Sequence, residues 1–195
     1  SQMQSFLNWC QIRRPLVTLK MAVDTNDKVD NNDSISKRFT SNSSLQYAHA
    51  LRRQVDAILV GSNTVIRDNP SLTIRNVEIN GTTNPIRIIL DTKGEIDSDA
   101  KVWNDEASTI KIHGNLNEIS IQGIESISMP SVTEQRNPTD LLDLLGDRGI
   151  QELLVEGGPS VWLSFLKNKI VDRIVHIRSK IDLGEGPEMK LTDEL

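Results

Sequence analysis

The sequence predicts one α/β domain with a mainly parallel central sheet. Short apolar runs alternate with segments of helical pattern, as expected when strands are joined by crossover helices. Two of these runs lead directly into glycine-bearing turns, at 60–64 and 155–160. The chain has 195 residues and 37% hydrophobic residues, concentrated in the strand-like runs, which suits a single well-packed domain.

Local pattern defines the elements of the first half of the chain. In order they are a strand over 16–23, an Asp/Asn-rich loop over 24–36, a helix over 45–52, a strand over 57–61, and a turn over 62–66 that starts a short helix. The first strand opens after Pro15, and its apolar run has two polar interruptions. Asn42 and Ser43 are candidate caps of the helix.

The second half continues the alternation of strands and helices. In order we predict strands over 86–91 and 108–113, a pair of strands between 119 and 129, a helix over 138–145, a strand over 152–156, a turn over 157–160, a helix over 161–167 and a strand over 171–177. Pro138 suits the start of its helix, which Gly146 or Gly149 would close.

Composition argues against several classes of protein. The net charge is -5, and 3 Phe, 1 Tyr and 3 Trp leave little material for stacking bases, so broad nucleic-acid binding is not expected. The 3 histidines and 1 cysteine lack metal-ligand spacing. Cys10 has no internal disulfide partner, and no apolar stretch approaches the roughly 20 residues of a membrane helix. We expect a soluble, cytoplasmic domain without a metal.

The two glycine-bearing turns are candidate ligand sites. Ligands of open α/β sheets bind beyond the carboxyl ends of strands, where turns expose backbone N–H groups to an anion. Pro159 suits a first helical turn and leaves the later N–H groups free. Taken singly, each turn is better explained as an ordinary strand-to-helix connection, since glycine is the common turn residue. Neither matches the spaced-glycine dinucleotide fingerprint or the phosphate-loop lysine motif, and no serine lies in a nucleophile-elbow sequence.

Three charged residues are candidates for chemistry. Lys20 interrupts an apolar strand, where an ammonium is costly unless it is paired or used; the alternative is an edge strand with Lys20 facing water. Glu156 ends a strand immediately before the double glycine, so its carboxylate is expected near whatever that turn binds. Asp68 precedes Asn69-Pro70 and is equally explained as a turn-forming residue.

Taken together, these segments resemble the reductase family of riboflavin biosynthesis, which is found alone or fused to a pyrimidine deaminase. The matching blocks occur in family order at 14–22, 56–75, 85–92, 154–160 and 171–172. The resemblance implies a fold similar to dihydrofolate reductase, with three αβα layers and a mostly parallel sheet. It also implies a reductase domain over 13–195, with 1–12 as a linker or N-terminal extension.

The activity that the resemblance implies is NADPH-dependent reduction of the ribosylamino group of a pyrimidine ribosylamine 5′-phosphate to the ribitylamino form, by a homodimer. Whether that pyrimidine is already deaminated stays open. The implied catalytic residues are Lys20, Asp68 and Glu156. We expect Lys20 and Glu156 to orient the ribosyl chain and help move protons during ring opening, while Asp68 positions the cofactor and the sugar hydroxyls.

Further site residues follow from the resemblance. The implied cofactor-binding positions are Ala22, Arg38, Gly61, Thr64, Asp68, Thr92, Gly157, Gly158, Pro159, Ser160, Val161 and Trp162. The implied substrate-binding positions are Ser36, Arg52, Leu72, Arg75 and Glu156. The two arginines suit the substrate's 5′-phosphate. Thr92, followed by Lys93, suits a 2′-phosphate and favours NADPH over NADH.

Three features depart from the family pattern. Asp27 stands at a glycine position, Arg38 stands where a tryptophan is usual, and family members generally continue through closing strands that would follow Leu195. A trimmed chain, a divergent short form or a sheet completed by a partner would each explain the last. These departures keep two alternatives open: a non-catalytic nucleotide-binding relative, and a reductase of a different, pterin-like substrate.

Overall fold

The computed structural model describes residues 2–31, 39–75, 83–114 and 120–189. Within these ranges the chain forms six α-helices, seven strands and a short 3₁₀ turn, Lys101–Trp103. The helices are α1 (Gln2–Ile12), α2 (Asn42–Arg52), α3 (Ser62–Asp68), α4 (Pro130–Thr133), α5 (Thr139–Asp147) and α6 (Pro159–Lys167). The strands are β1 (Leu16–Val23), β2 (Ala57–Gly61), β3 (Ile86–Leu90), β4 (Thr109–His113), β5 (Glu125–Ser128), β6 (Glu152–Val155) and β7 (Arg173–Arg178).

The seven strands form one sheet in the order β5-β4-β3-β2-β6-β1-β7, and every pairing between neighbours is parallel. The predicted α/β class with a mainly parallel sheet is therefore confirmed. Strand β6 inserts between β1 and β2, with Val155 level with Leu19 on one side and Leu59 on the other. This register brings the carboxyl ends of strands that are far apart in sequence to the same edge.

Helices cover both faces of the sheet, because alternate side chains of each central strand point to opposite faces. In β2, Leu59 joins an apolar cluster with Leu141 of α5 and Phe165 of α6. Its neighbour Val60 joins a second cluster with Val65 of α3. Burial on both faces explains why the central strands are continuously apolar in sequence.

Several element predictions need correction. The N-cap of α2 is Ser41, whose side chain accepts a hydrogen bond from the Ser44 N–H, rather than Asn42 or Ser43. The predicted pair of strands between 119 and 129 is wrong for the described residues, which contain one strand there, β5, after a turn with Gly123 at φ +80°. The sequence prediction also omitted α1, α4 and the 3₁₀ turn.

Two glycines near the carboxyl end of α5, both of which were candidates for closing the helix, have separate roles. Gly149 takes φ +79° just beyond the end of α5, as a glycine that terminates a helix commonly does. Gly146 lies inside α5, where an added Cβ would be 1.6 Å from the backbone oxygen of Arg13. The Trp9 indole N–H of α1 also donates to the Gly146 carbonyl at 2.7 Å. The absent side chain therefore lets the segment that follows α1 cross α5 closely.

The turn after β1 accepts Asp27 at the family's glycine position. Asp27 has φ +61°, in the left-handed region that Asp tolerates better than most residues. Its carboxylate pairs with Arg178 of β7. Asp24 anchors the same turn, with Oδ1 accepting from the Asn26 and Lys28 N–H groups at 2.7 and 2.8 Å. The departure from glycine is thus accommodated within the parallel sheet.

Candidate active site

Two adjoining pockets form a cleft across the carboxyl ends of β1, β6, β2 and β3. The larger pocket, of about 830 Å³, is lined by residues that include Lys20, Ala22, Asp68, Glu156 and Trp162. The smaller pocket, of about 170 Å³, extends past the end of β3. Both pockets share the residues Asn63, Thr64, Gly158, Pro159 and Ser160. The two predicted turns therefore meet in one site, in the position expected for a ligand of an open α/β sheet.

The glycines of these turns differ in what surrounds them. A Cβ added to Gly157 would lie 2.8 Å from Val161 Cβ, and one added to Gly61 would lie 3.0 Å from Val161 Cγ2. Close packing against Val161 of α6 therefore explains why glycine stands at both positions. A Cβ on Gly158 would have Thr64 Oγ1, at 3.9 Å, as its nearest neighbour among described residues. Because Gly158 lines both pockets, its missing side chain leaves space in the cleft rather than in the core.

Lys20 and Glu156 lie on neighbouring strands at the floor of the larger pocket. The register that pairs Leu19 with Val155 sets the next residue of each strand at the same level. Strand alternation then places both side chains on the face opposite to Leu19. Since β1 lies between β6 and β7, the edge-strand alternative for Lys20 is wrong.

Glu156 is held by an arginine from α2. Arg52 donates from Nη2 to Oε2 at 2.8 Å and from Nε to Oε1 at 3.1 Å. The two side chains are 11% and 7% exposed, so this is a buried bidentate ion pair. Burial alone would raise the pKa of Glu156, but the charges of Arg52 and Lys20 hold it below its ordinary value. The carboxylate is therefore a fixed negative charge at neutral pH.

His49 extends this network toward the loop after α3. It is buried, and its Nδ1 accepts a hydrogen bond from the Arg75 backbone N–H at 3.1 Å. Burial, with the nearby charges of Arg52 and Arg75, lowers the pKa of His49. A neutral ring suits its role as an acceptor. Arg52 also donates to the Thr73 carbonyl at 3.3 Å, so α2 fixes both Glu156 and this loop.

Comparison with known proteins agrees with this geometry. The RibD C-terminal domain family matches residues 15–194. The chain belongs to this family. Its matched region includes every described strand and the whole cleft.

Relatives of this RibD C-terminal domain are found among bacteria and archaea. The chain is 39% identical over 184 residues to the riboflavin biosynthesis protein RibD of Aquifex aeolicus, covering 94% of this chain and 51% of the relative. It is 31% identical over 174 residues to the 2,5-diamino-6-ribosylamino-4(3H)-pyrimidinone 5′-phosphate reductase of Methanothermobacter thermautotrophicus, covering 83% of this chain and 76% of the relative. The chain thus spans about half the length of the RibD proteins that it matches.

A solved structure shares the fold. The Thermotoga maritima diaminohydroxyphosphoribosylaminopyrimidine deaminase/5-amino-6-(5-phosphoribosylamino)uracil reductase superposes with a TM-score of 0.82 at 29% identity. The match covers 95% of this chain and 50% of the Thermotoga chain.

The residues that the resemblance implied for cofactor binding cluster in the cleft of this RibD C-terminal domain. Those that line at least one pocket are Ala22, Gly61, Thr64, Asp68, Thr92, Gly157, Gly158, Pro159, Ser160, Val161 and Trp162. Arg38 lies outside the described residues. Lys93 does not line either pocket; its ammonium is 71% exposed and lies 3.5 Å from Glu95 Oε1.

The implied substrate-binding residues are less clustered. Glu156 lines the larger pocket, and Arg52 reaches that site through Glu156. Leu72 is buried in the second apolar cluster with φ +54°, and Arg75 is exposed; neither lines the two pockets. Ser36 lies outside the described residues.

Sequence reasoning missed several lining residues. Arg67 pairs with Asp30 in the larger pocket, with Nε to Oδ2 at 2.6 Å, and Phe39 and Thr40 line the same pocket. Arg136 lines the smaller pocket from the loop between α4 and α5. These residues come from segments without a motif, and only tertiary folding brings them to the cleft. The only sequence feature that indicated Arg67 was its position next to the predicted site residue Asp68.

Other types of site are absent where the structure is described. Across residues 2–31, 39–75, 83–114 and 120–189, no group of His, Cys, Asp and Glu side chains could hold a metal ion. The helices in those ranges are also too short or too polar to cross a membrane.

Proposed function

We propose that this chain reduces the ribosylamino group of a pyrimidine ribosylamine 5′-phosphate to the ribitylamino form, with NADPH as reductant. The observation that carries the proposal is the juxtaposition of Lys20 and Glu156 at the floor of a cleft that both glycine turns line. The similarity to the Methanothermobacter relative, a 2,5-diamino-6-ribosylamino-4(3H)-pyrimidinone 5′-phosphate reductase, supports this substrate class.

The residues of the cleft fit a nicotinamide dinucleotide. Gly158 leaves space beside Thr64 and begins α6, a nine-residue helix whose first N–H groups suit a pyrophosphate. The indole Nε1 of Trp162 is buried at this cleft without a hydrogen-bond partner among the described residues, and so has a donor to offer. When bound, the nicotinamide would supply the hydride that reduces C1′ of the ring-opened ribosylamine.

Glu156 contributes a fixed charge in this proposal. Both of its oxygens are engaged by Arg52, and its pKa lies below the ordinary value, so at pH 7 it carries no proton to donate and is a poor base. Its negative charge stabilises the positive charge that develops on the ribosylamine nitrogen as the sugar ring opens.

Lys20 is the donor that the floor of the cleft offers to the sugar. Its side chain lines the cleft beside Glu156, and an ammonium offers three donors on a flexible stem. We assign it donation of a proton to the ring oxygen during opening. Asp68 lines the same pocket from the end of α3. We assign it the role of positioning the cofactor and the sugar hydroxyls.

The substrate's 5′-phosphate is assigned to Arg75 rather than to Arg52. Arg52 is buried and already paired, so its contribution is to hold Glu156. Arg75 is exposed on the loop that α2 fixes through His49, and its guanidinium suits a phosphate.

The direct test measures NADPH oxidation with deaminated and non-deaminated substrates, with Lys20→Met as the variant. We expect wild-type turnover with one of them, and a loss of at least about 100-fold in kcat for Lys20→Met. Affinity for NADPH should change less than about threefold. Lys167→Met, an exposed lysine at the end of α6, is the matched control and should leave both quantities unchanged. Equal turnover in wild type and Lys20→Met would contradict the role of Lys20.

We also infer a homodimer. Strand β7 is at the edge of the described sheet, and it exposes Ile174 at 45%, with Ile181 beyond it at 51%. Such an edge favours pairing with a second copy. Sedimentation should give twice the chain mass, and Ile174→Lys should shift it toward the monomer. A monomeric wild type would contradict the inference.

A further inference from the structure

Arg136 lines the smaller pocket, as Thr92 does. It follows α4 with φ +55°, a left-handed conformation that a non-glycine residue adopts only with support. Asn168 provides that support, because its Nδ2 donates to the Arg136 carbonyl at 3.2 Å and to the Ser164 carbonyl at 2.7 Å. The backbone of Arg136 is thereby fixed to the helix that begins at the cleft.

The charge of Arg136 has no counterpart where the structure is described. Its side chain forms no ion pair or hydrogen bond with the described residues, whereas Arg14, Arg52, Arg67, Arg148 and Arg178 each pair with a carboxylate. Every other residue that lines the smaller pocket is uncharged. The lining of this pocket thus combines one unneutralised guanidinium with the Thr92 hydroxyl and residues of the first turn of α6.

The direction of a bound dinucleotide follows from the floor of the larger pocket. The nicotinamide would lie near Lys20 and Glu156, the two residues of the larger pocket that the proposed function assigns to the sugar. Residues shared by both pockets at the start of α6 would then hold the pyrophosphate, and the lining of the smaller pocket would receive the adenosine half. Thr92 and Arg136 belong to that lining and would be available to the 2′ position of the adenosine ribose.

We propose that Arg136, assisted by Thr92, binds the 2′-phosphate and makes this site select NADPH over NADH. The inference rests on the proposed function, since it assumes a nicotinamide dinucleotide in the cleft. A guanidinium matches phosphate geometry through paired charge-assisted hydrogen bonds. Lys93, which the sequence suggested for this role, lies outside the pocket lining and is paired with Glu95.

The test compares binding of NADP⁺ and NAD⁺ by calorimetry in wild type, Arg136→Gln, Arg136→Lys and Lys93→Gln. Wild type should bind NADP⁺ about 10- to 100-fold more tightly than NAD⁺, which is the ratio of affinities that a hydrogen bond to a charged group contributes. Arg136→Gln should lose this preference with NAD⁺ affinity unchanged. Arg136→Lys should keep part of the preference for NADP⁺, because the positive charge remains while the paired donors of the guanidinium are lost. Lys93→Gln should behave as wild type.

A probe without nicotinamide separates this inference from the proposed function. 2′,5′-ADP should bind wild type at least about 10-fold more tightly than Arg136→Gln, by the same range. NADP⁺ preference that survives Arg136→Gln, or is lost in Lys93→Gln, would overturn the inference while leaving the reductase intact. A fall in NADP⁺ and NAD⁺ affinity by equal factors would assign Arg136 a structural role instead. Wild type that binds neither dinucleotide would instead contradict the proposed function.

Discussion

Glu156 combines two requirements that usually conflict, since it is buried and also charged. The conflict is resolved by Arg52, which engages both carboxylate oxygens. Breaking such a buried pair from one side leaves an uncompensated charge, at a cost of about 3–5 kcal/mol. An exposed pair of the same chemistry, Arg148 with Glu125, contributes about 0–1 kcal/mol.

These two pairs give a matched prediction for stability. Glu156→Gln should lower the free energy of unfolding by about 3–5 kcal/mol at pH 7, and Glu125→Gln by less than about 1 kcal/mol. Urea titrations followed by circular dichroism measure both. Losses of similar size would show that the buried pair is not special.

The acid dependence of that stability also follows from Glu156. Its pKa in the folded chain is lowered, so its stabilising contribution is complete above the unfolded pKa of about 4.3 and is lost as pH falls through the folded value. The difference in unfolding free energy between wild type and Glu156→Gln should therefore be constant from pH 6 to 8 and shrink below about pH 4. A difference that changes between pH 6 and 8 would contradict the assignment.

Single residues were predictable from sequence where their type conflicted with their surroundings. Lys20 interrupts an apolar strand, and Glu156 separates another from two glycines. The partner of Glu156 could not be derived from spacing, because Arg52 is 104 residues away. Arg136 carried no local signal, since arginine in a loop is ordinary, and Arg67 was indicated only by its position beside Asp68.

At the scale of the element, the turn between β6 and α6 has two adjacent glycines with different surroundings. Gly157→Ala should cost about 1–3 kcal/mol of unfolding free energy, because its Cβ would overlap Val161. Gly158→Ala should leave stability within about 1 kcal/mol of wild type, since its φ of -82° suits any residue and its Cβ points to open space. NADPH affinity should nevertheless fall in Gly158→Ala, because the Cβ enters the cleft.

Thermal unfolding and a binding titration on each variant separate these effects. Gly157→Ala should have the lower melting temperature of the two variants. Gly158→Ala should lose NADPH affinity although its melting temperature stays close to that of wild type. The opposite result, a stable Gly157→Ala variant with reduced NADPH affinity, would place the open space at Gly157. The cofactor would then have to bind at a different position.

Elements were predictable from sequence where one pattern dominated. The strands β1, β2 and β6 are predominantly apolar runs, and their predicted bounds agree with the structure to within a residue. The region between β4 and α5 was mispredicted because β5 is short and none of its residues is buried, so it lacks the apolar pattern. Much of the surface of helix α1 is exposed, and this helix was not predicted from the sequence.

For the whole molecule, a buried arginine joins segments that lie far apart in the chain. Arg87 of β3 is fully buried and donates from Nε to Thr109 Oγ1 at 2.7 Å. Its other donors reach the carbonyls of Ser71, Lys101, Asn104 and Ala107 and the side chain of Asn104. One side chain thus ties the loop after α3 and the 3₁₀ turn to the sheet.

Removing this arginine should loosen several segments together. Arg87→Met leaves four partly buried carbonyls without their donor, and we expect a loss of at least about 3 kcal/mol of unfolding free energy. Arg53→Met, at an exposed position after α2, is the control and should change stability by less than about 0.5 kcal/mol. Hydrogen exchange of residues 71–75 and 101–107 should accelerate in Arg87→Met. Unchanged exchange there would contradict this role.

The overall fold was more predictable than the cleft it supports. Alternating strands and helices sufficed for a parallel α/β sheet, because parallel strands require crossovers and buried strands are apolar. The strand order was not derivable from local pattern, since β6 pairs with β1 and β2, which are both distant from it in sequence. That insertion is what brings Glu156 beside Lys20.

The most direct test of the central claim follows the hydride itself. NADPH deuterated at nicotinamide C4 would be mixed with the chain and each ribosylaminopyrimidine 5′-phosphate, and the product analysed by mass spectrometry and NMR. The account predicts a ribitylamino product with one deuterium at C1′, formed in wild type and strongly reduced in Lys20→Met. Saturable NADPH binding with no deuterium in either pyrimidine would contradict it, and would favour a nucleotide-binding relative without this reductase activity.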